Sequence, residues 1–160
     1  MNGIDAIRGG LNMAEYVGLA YVNDLSDAEL LRRPHPKCNH LNFQLGHLVT
    51  SENAMMNSAF PGKMPALPEG MMEKYAKEAG ASDNSADFLS KEQLMATYRQ
   101  QRDATLALLA GCTDDDLAKD TGIDYAPKLG DLFRIQGEHW LMHCGQWVVV
   151  RRELDKPIVI

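Results

Sequence analysis

The chain has 160 residues, a formal net charge of −6, 45% apolar residues and 24% charged residues. Those are the proportions of an ordinary globular protein, and the length suits one domain spanning residues 1–160. They exclude a collagen-like, disordered or disulfide-scaffold class, and an acidic balance disfavours a phosphate-backbone partner, so no nucleic acid is expected.

The three cysteines, Cys38, Cys112 and Cys144, are an odd number at unrelated spacings. That pattern speaks for a reducing cytoplasm rather than a secreted disulfide framework. The opening MNGIDAIRGG carries early charges and no apolar core, so it does not read as a signal peptide. No apolar run approaches the ~20 residues of a membrane span, and no membrane partner is expected.

In chain order, residues 3–24 carry Ile4, Ile7, Leu11, Ala14 and Val17 at helical spacing. Gly9-Gly10 inside this stretch suggests a kink or a close helix contact. Ser26 followed by Glu29 forms a capping box for a short turn that stops at Pro34. Asn39 is the expected N-cap of a second helix over residues 40–59. Residues 61–88, rich in proline and glycine, predict an irregular surface excursion of the kind that often covers a site. Ser90 caps a third helix over 91–110, ending at Gly111. Thr113 starts another short turn, and a fourth helix runs over 129–154, before Pro157. Four long helices with no strand pattern predict an all-α four-helix bundle. Arg32-Arg33 and Arg151-Arg152 read as solvated helix termini, where positive charge suits the macrodipole.

The chemistry sits in the histidines. The fourth helix contains His139-Trp140-Leu141-Met142-His143. An i, i+4 pair rises about 6 Å and projects from nearly one face, the spacing at which two imidazoles ligate one metal ion. The same face carries Leu132, Ile135 or Gln136, Gln146 and Val150, so the pair should face the core. Two core histidines need partners, which a shared metal, buried carboxylates or a turned helix would each provide. The second helix adds His47 in an apolar period, where a satisfied core histidine and a third ligand are both open readings. Three imidazoles would leave a coordination position free for a water or a substrate atom.

Neighbouring residues fill lesser roles. Trp140 stands where a zinc protease would need glutamate. Cys144, about 140° around the helix from His139, reads as a small buried hydrophobe. His40 lies two turns from His47, about 10.5 Å, too far to share a metal. Glu52 is a candidate base, with a solvated or capping carboxylate as its plainer role, and Gln44 and Gln136 are candidates to hold the outer ring nitrogens.

Asn39-His40-Leu41-Asn42-Phe43-Gln44-Leu45-Gly46-His47-Leu48-Val49, with Ser51-Glu52, resembles the second helix of the DinB-like (YfiT-like) superfamily. His139-Trp140-Leu141-Met142-His143-Cys144-Gly145-Gln146, then Arg151-Arg152 and Lys156-Pro157, resembles its last helix and exit. The resemblance implies a four-helix bundle in which one histidine of helix two and two of the last helix bind a divalent metal, here His47, His139 and His143. It also implies an enzyme that acts on a small molecule, through thiol-dependent S-transfer with a low-molecular-weight thiol. The alternatives are a hydrolase using metal-bound water and a non-catalytic, metal-stabilised ligand-binding bundle. Imidazole ligands suit Zn, Ni or Fe. A homodimer is expected partly from the resemblance and partly from apolar residues such as Met71 and Met72 beyond one bundle core.

Overall fold

The architecture comes from a computed structural model that describes residues 1–159. Seven α-helices, two short 3-10 turns and one β-hairpin are present among the described residues. The four long helices are α1 (Gly3–Val22), α3 (Leu41–Ala59), α5 (Lys91–Ala110) and α7 (Leu129–Glu153). Short α2 (Asp27–Leu30), α4 (Met71–Lys74) and α6 (Asp114–Leu117) lie in the connections. The expected four-helix bundle is what forms.

Helix starts follow side-chain chemistry. Asn2 accepts from the Asp5 amide at α1, and Ser26–Glu29, Ser90–Gln93 and Thr113–Asp116 make complete capping boxes. One cap differs from expectation. The N-cap of α3 is His40, whose Nδ1 accepts from the Phe43 amide at 3.0 Å. Asn39 instead offers its carbonyl to the Gln44 side chain.

The expectation of no strands is corrected at residues 120–128, which form a two-stranded antiparallel hairpin, β1 (Asp120–Ile123) with β2 (Ala126–Lys128). Thr121 and Ile123 alternate as a strand should, but the run is short, Gly122 sits at φ +74°, and Pro127 can occupy only an edge strand.

The core divides along every long helix into two apolar clusters. One contains Val17, Leu45, Tyr98, Trp140 and Trp147, and the other contains Leu11, Met56, Leu109, Leu132 and Phe133. Between them, Glu52 on α3, Arg102 and Thr105 on α5 and Gln136 on α7 form a buried polar layer.

Two glycines permit close packing. A Cβ on Gly18 would stand 2.7 Å from the Trp140 ring, and one on Gly46 would stand 2.1 Å from the Tyr75 ring. Gly9 and Gly10 lie in an unbroken α1 with open space at their Cβ positions, so there is no kink, but the Gly10 carbonyl lies 3.4 Å from the Cβ position of Gly137, a close α1–α7 approach. Through Tyr75, the excursion 61–88 docks on α3 beside His47. The Tyr75 hydroxyl donates to Asn42 Oδ1 and accepts from the Leu89 amide, both at 3.0 Å, and Asn42 Nδ2 donates to the Leu89 carbonyl at 2.9 Å. Met71 is buried in this contact region rather than exposed, whereas Met72 does face solvent.

One arginine of each pair departs from expectation, while Arg32 and Arg152 are exposed as expected. Arg151 is buried and ties the end of α1 to the segment after α7. It donates to Asp24 through both terminal nitrogens, to the Tyr21 carbonyl and to the Pro157 carbonyl. That guanidinium holds the Asp24 carboxyl below the usual carboxylate range. Arg33 donates to the carbonyls of Cys38, Gly80 and Ser82 and to Asp83, tying the excursion down. The planar guanidinium fork lets one side chain satisfy several loop carbonyls at once, which a helix-dipole argument does not anticipate. No helix among the described residues is long and apolar enough to cross a membrane.

Candidate metal centre

His47 reaches the site from the middle of α3, and His139 and His143 reach it from successive turns of α7. The helical period that puts Leu45, Leu48, Trp140, Cys144 and Trp147 into the core turns these three rings toward one another. Ring centroids are 5.2 Å apart for His47–His139, 5.8 Å for His47–His143 and 5.0 Å for His139–His143. One nitrogen from each ring lies within 4.8 Å of the other two, and the His139 and His143 Nε2 atoms are 3.3 Å apart. Two imidazole nitrogens held tetrahedrally at ~2.1 Å from one ion are about 3.4 Å apart, so this spacing fits a shared metal position.

The electrostatics fit as well. Burial, with mutual repulsion among the rings second, pushes His139 and His143 down to about 4. Burial alone lowers His47. All three are therefore neutral at physiological pH and carry the lone pairs that a cation needs.

The surrounding shell is uneven. His143 Nδ1 lies 2.8 Å from Gln44 Oε1, as Gln44's position one turn before His47 suggests. Gln136 does not serve the same purpose. It donates to the Leu132 carbonyl one turn back and lies 3.3 Å from Met55 Sδ. The local carbonyl captures the amide before it can reach a histidine. The ring of Phe43 stacks parallel to His47 at 6.4 Å. Trp147 and Gln146, which complete the Gln44 contacts, were not given a role from sequence. Their places, three and four residues after His143, are the signal that could have found them.

Three other candidates resolve clearly. Glu52 is neither a free base nor a solvated carboxylate. It is 1% exposed and accepts from Arg102 Nε at 3.0 Å and from Nη2 at 2.9 Å, one bond to each oxygen. A carboxylate this deep needs a cation, and α5 supplies it. His40 is the α3 cap and lies outside the cluster. Cys144 is buried and its thiol is pushed up to about 12, the behaviour of a small hydrophobe.

Known proteins resemble this arrangement at the level of fold and family. The crystal structure of a conserved protein from Enterococcus faecalis superposes with a TM-score of 0.73 at 15% identity, covering 98% of this chain and 99% of that one. No curated protein matches the sequence. The sequence pattern of the DinB superfamily, a generally metal-binding group, matches residues 14–147 and so takes in all three histidines. The chain belongs to the DinB superfamily.

Proposed function

We propose that His47, His139 and His143 hold one divalent ion, Zn, Ni or Fe, and that the protein is an enzyme transferring a low-molecular-weight thiol to a small electrophilic substrate. The observation that carries this reading is the convergence of three neutral imidazoles from two helices, with no fourth protein ligand in the cluster among the described residues. A closed structural site would ordinarily have four. When bound, the ion would act as a Lewis acid and lower the pKa of a thiol placed on it.

The chain's own residues favour an external thiol. The Cys144 thiol stays protonated at physiological pH, and Cys112 is also pushed up by burial. Among the described residues none of the three cysteines, Cys38 included, belongs to the histidine cluster, so in this reading the nucleophile comes with a cosubstrate. The hydrolase reading asks for a base, and its one candidate, Glu52, has both oxygens committed to Arg102. In this account a homodimer forms through the outer faces of α1 and α7, supported by exposed Met13, Tyr16, Leu141, Met142 and Val149. Light scattering reads its mass.

The test loads the purified protein with each ion and offers glutathione-like thiols with an electrophile. Ion-dependent thiol consumption, lost in His139→Ala, is expected. Ester or amide hydrolysis without thiol consumption would favour the hydrolase. Binding without turnover, together with loss of the fold on chelation, would favour a structural ion.

A further inference from the structure

Both ends of the Gln44 side chain are committed. Its Oε1 accepts the indole N–H of Trp147 at 2.9 Å and lies 2.8 Å from His143 Nδ1. Its Nε2 donates to the Asn39 carbonyl at 2.7 Å and to Gln146 Oε1 at 3.1 Å. Two of these partners act in one direction only. An indole N–H can only donate, and a backbone carbonyl can only accept. The amide therefore has a single orientation, and the atom facing His143 is oxygen. An oxygen acceptor selects a proton on His143 Nδ1, which in a neutral ring leaves Nε2 as a bare lone pair.

That lone pair faces His139 Nε2 at 3.3 Å. Two bare lone pairs at this distance would repel, whereas one proton between them makes a hydrogen bond. His143 cannot supply that proton while Gln44 holds the other, so His139 must. We propose that Gln44 locks His143 as the Nδ1–H tautomer, and that in the metal-free protein His139 carries its proton on Nε2 and donates it to His143. Among the described residues no protein group holds the other nitrogen of His139, so its tautomer is set by this one contact and by the ion.

The consequence for the site, which rests on the metal reading, is a division of labour. His143 is preset to ligate through Nε2. His139 must first change tautomer: solvent takes the Nε2 proton and returns one to Nδ1, so this exchange releases no net proton. Gln44 is a positioning residue that acts through His143. It also joins the start of α3 to the later half of α7, since Asn39, Gln146 and Trp147 share its amide.

Long-range 1H–15N correlation spectra of the metal-free protein at neutral pH, with 15N-labelled histidine, test this directly. The expected pattern is Nδ1–H for His143 and Nε2–H for His139. Gln44→Met keeps the length of the side chain and removes the acceptor. It should move His143 toward Nε2–H and weaken zinc binding about 10- to 100-fold. Trp147→Phe leaves Gln44 Oε1 to His143 alone and should keep the wild-type pattern. A wild-type His143 with mainly Nε2–H, or a pattern unchanged by Gln44→Met, overturns the lock. Should Gln44→Met not fold, the wild-type and Trp147→Phe spectra decide. The expected tautomers without any zinc binding would leave the lock standing and remove the metal reading. Zinc binding with the opposite tautomers would do the reverse.

Discussion

Two polar clusters lie inside the same bundle, one joining α3 to α5 and α7 and the other joining α3 to α7, and they are completed differently. Glu52 and Arg102 answer each other with opposite charges and two directed hydrogen bonds, and Arg102 also donates to the Gln136 carbonyl. Only Arg102 Nη1 lacks a protein partner in that pair. The histidines, one turn or more away along each helix, bring together three groups of the same kind, with no countercharge. Burial and proximity penalise their protonation, and their ring nitrogens face one another. A polar cluster that serves the fold closes on itself; in the proposed reading, this one is left for a cation to close.

The largest expected effect breaks the closed cluster. Glu52→Ala leaves a buried guanidinium unpaired and should lower the unfolding free energy by about 3–5 kcal/mol. Urea denaturation measures it, and a loss below about 1 kcal/mol would rank the pair with ordinary surface ion pairs. Next, Gly46→Ala forces a methyl into the Tyr75 ring and should cost about 1–3 kcal/mol, with the excursion's amides exchanging faster. Hydrogen exchange at Leu89 reads the second part. By contrast, His139→Ala in the metal-free protein should cost only about 1 kcal/mol, because the ring is not fully buried and makes one hydrogen bond.

The open cluster should also show itself in the pH dependence. In the unfolded chain a histidine takes up its proton near 6.5, whereas in the fold His139 and His143 do so only at about 4. Acid therefore protonates the unfolded chain first. The stability from these two groups is complete above pH 6.5 and declines as pH falls toward 4. Removing both rings should flatten that part of the curve. An equally steep decline in the double variant would assign it to other groups.

Much of this was legible from local patterns. The apolar periods located the four long helices, and the caps Ser26, Ser90 and Thr113 marked the starts of short α2, long α5 and short α6. The i, i+4 spacing placed His139 and His143 on one face. What stayed hidden depends on partners distant in sequence. Nothing near Glu52 announces Arg102, fifty residues on. Arg33 and Arg151 look like exposed helix ends until the loop carbonyls they bind are seen. Met71 reads as surplus apolar surface because the excursion that carries it into the core has no periodic signal. The hairpin at 120–128 is too short to show a strand period clearly. Gln44 could be suggested from its helical face and Gln136 could too. Only three-dimensional structure separates the one that reaches a histidine from the one captured by its own helix.

The central claim is that the open cluster is a metal site, and a calorimetric titration of the metal-stripped protein with Zn2+ at neutral pH tests it most directly. The account predicts one ion per chain, with binding weakened strongly by alanine at His47, His139 or His143 while the helical circular dichroism is retained. No binding, or binding untouched by all three substitutions, would contradict it.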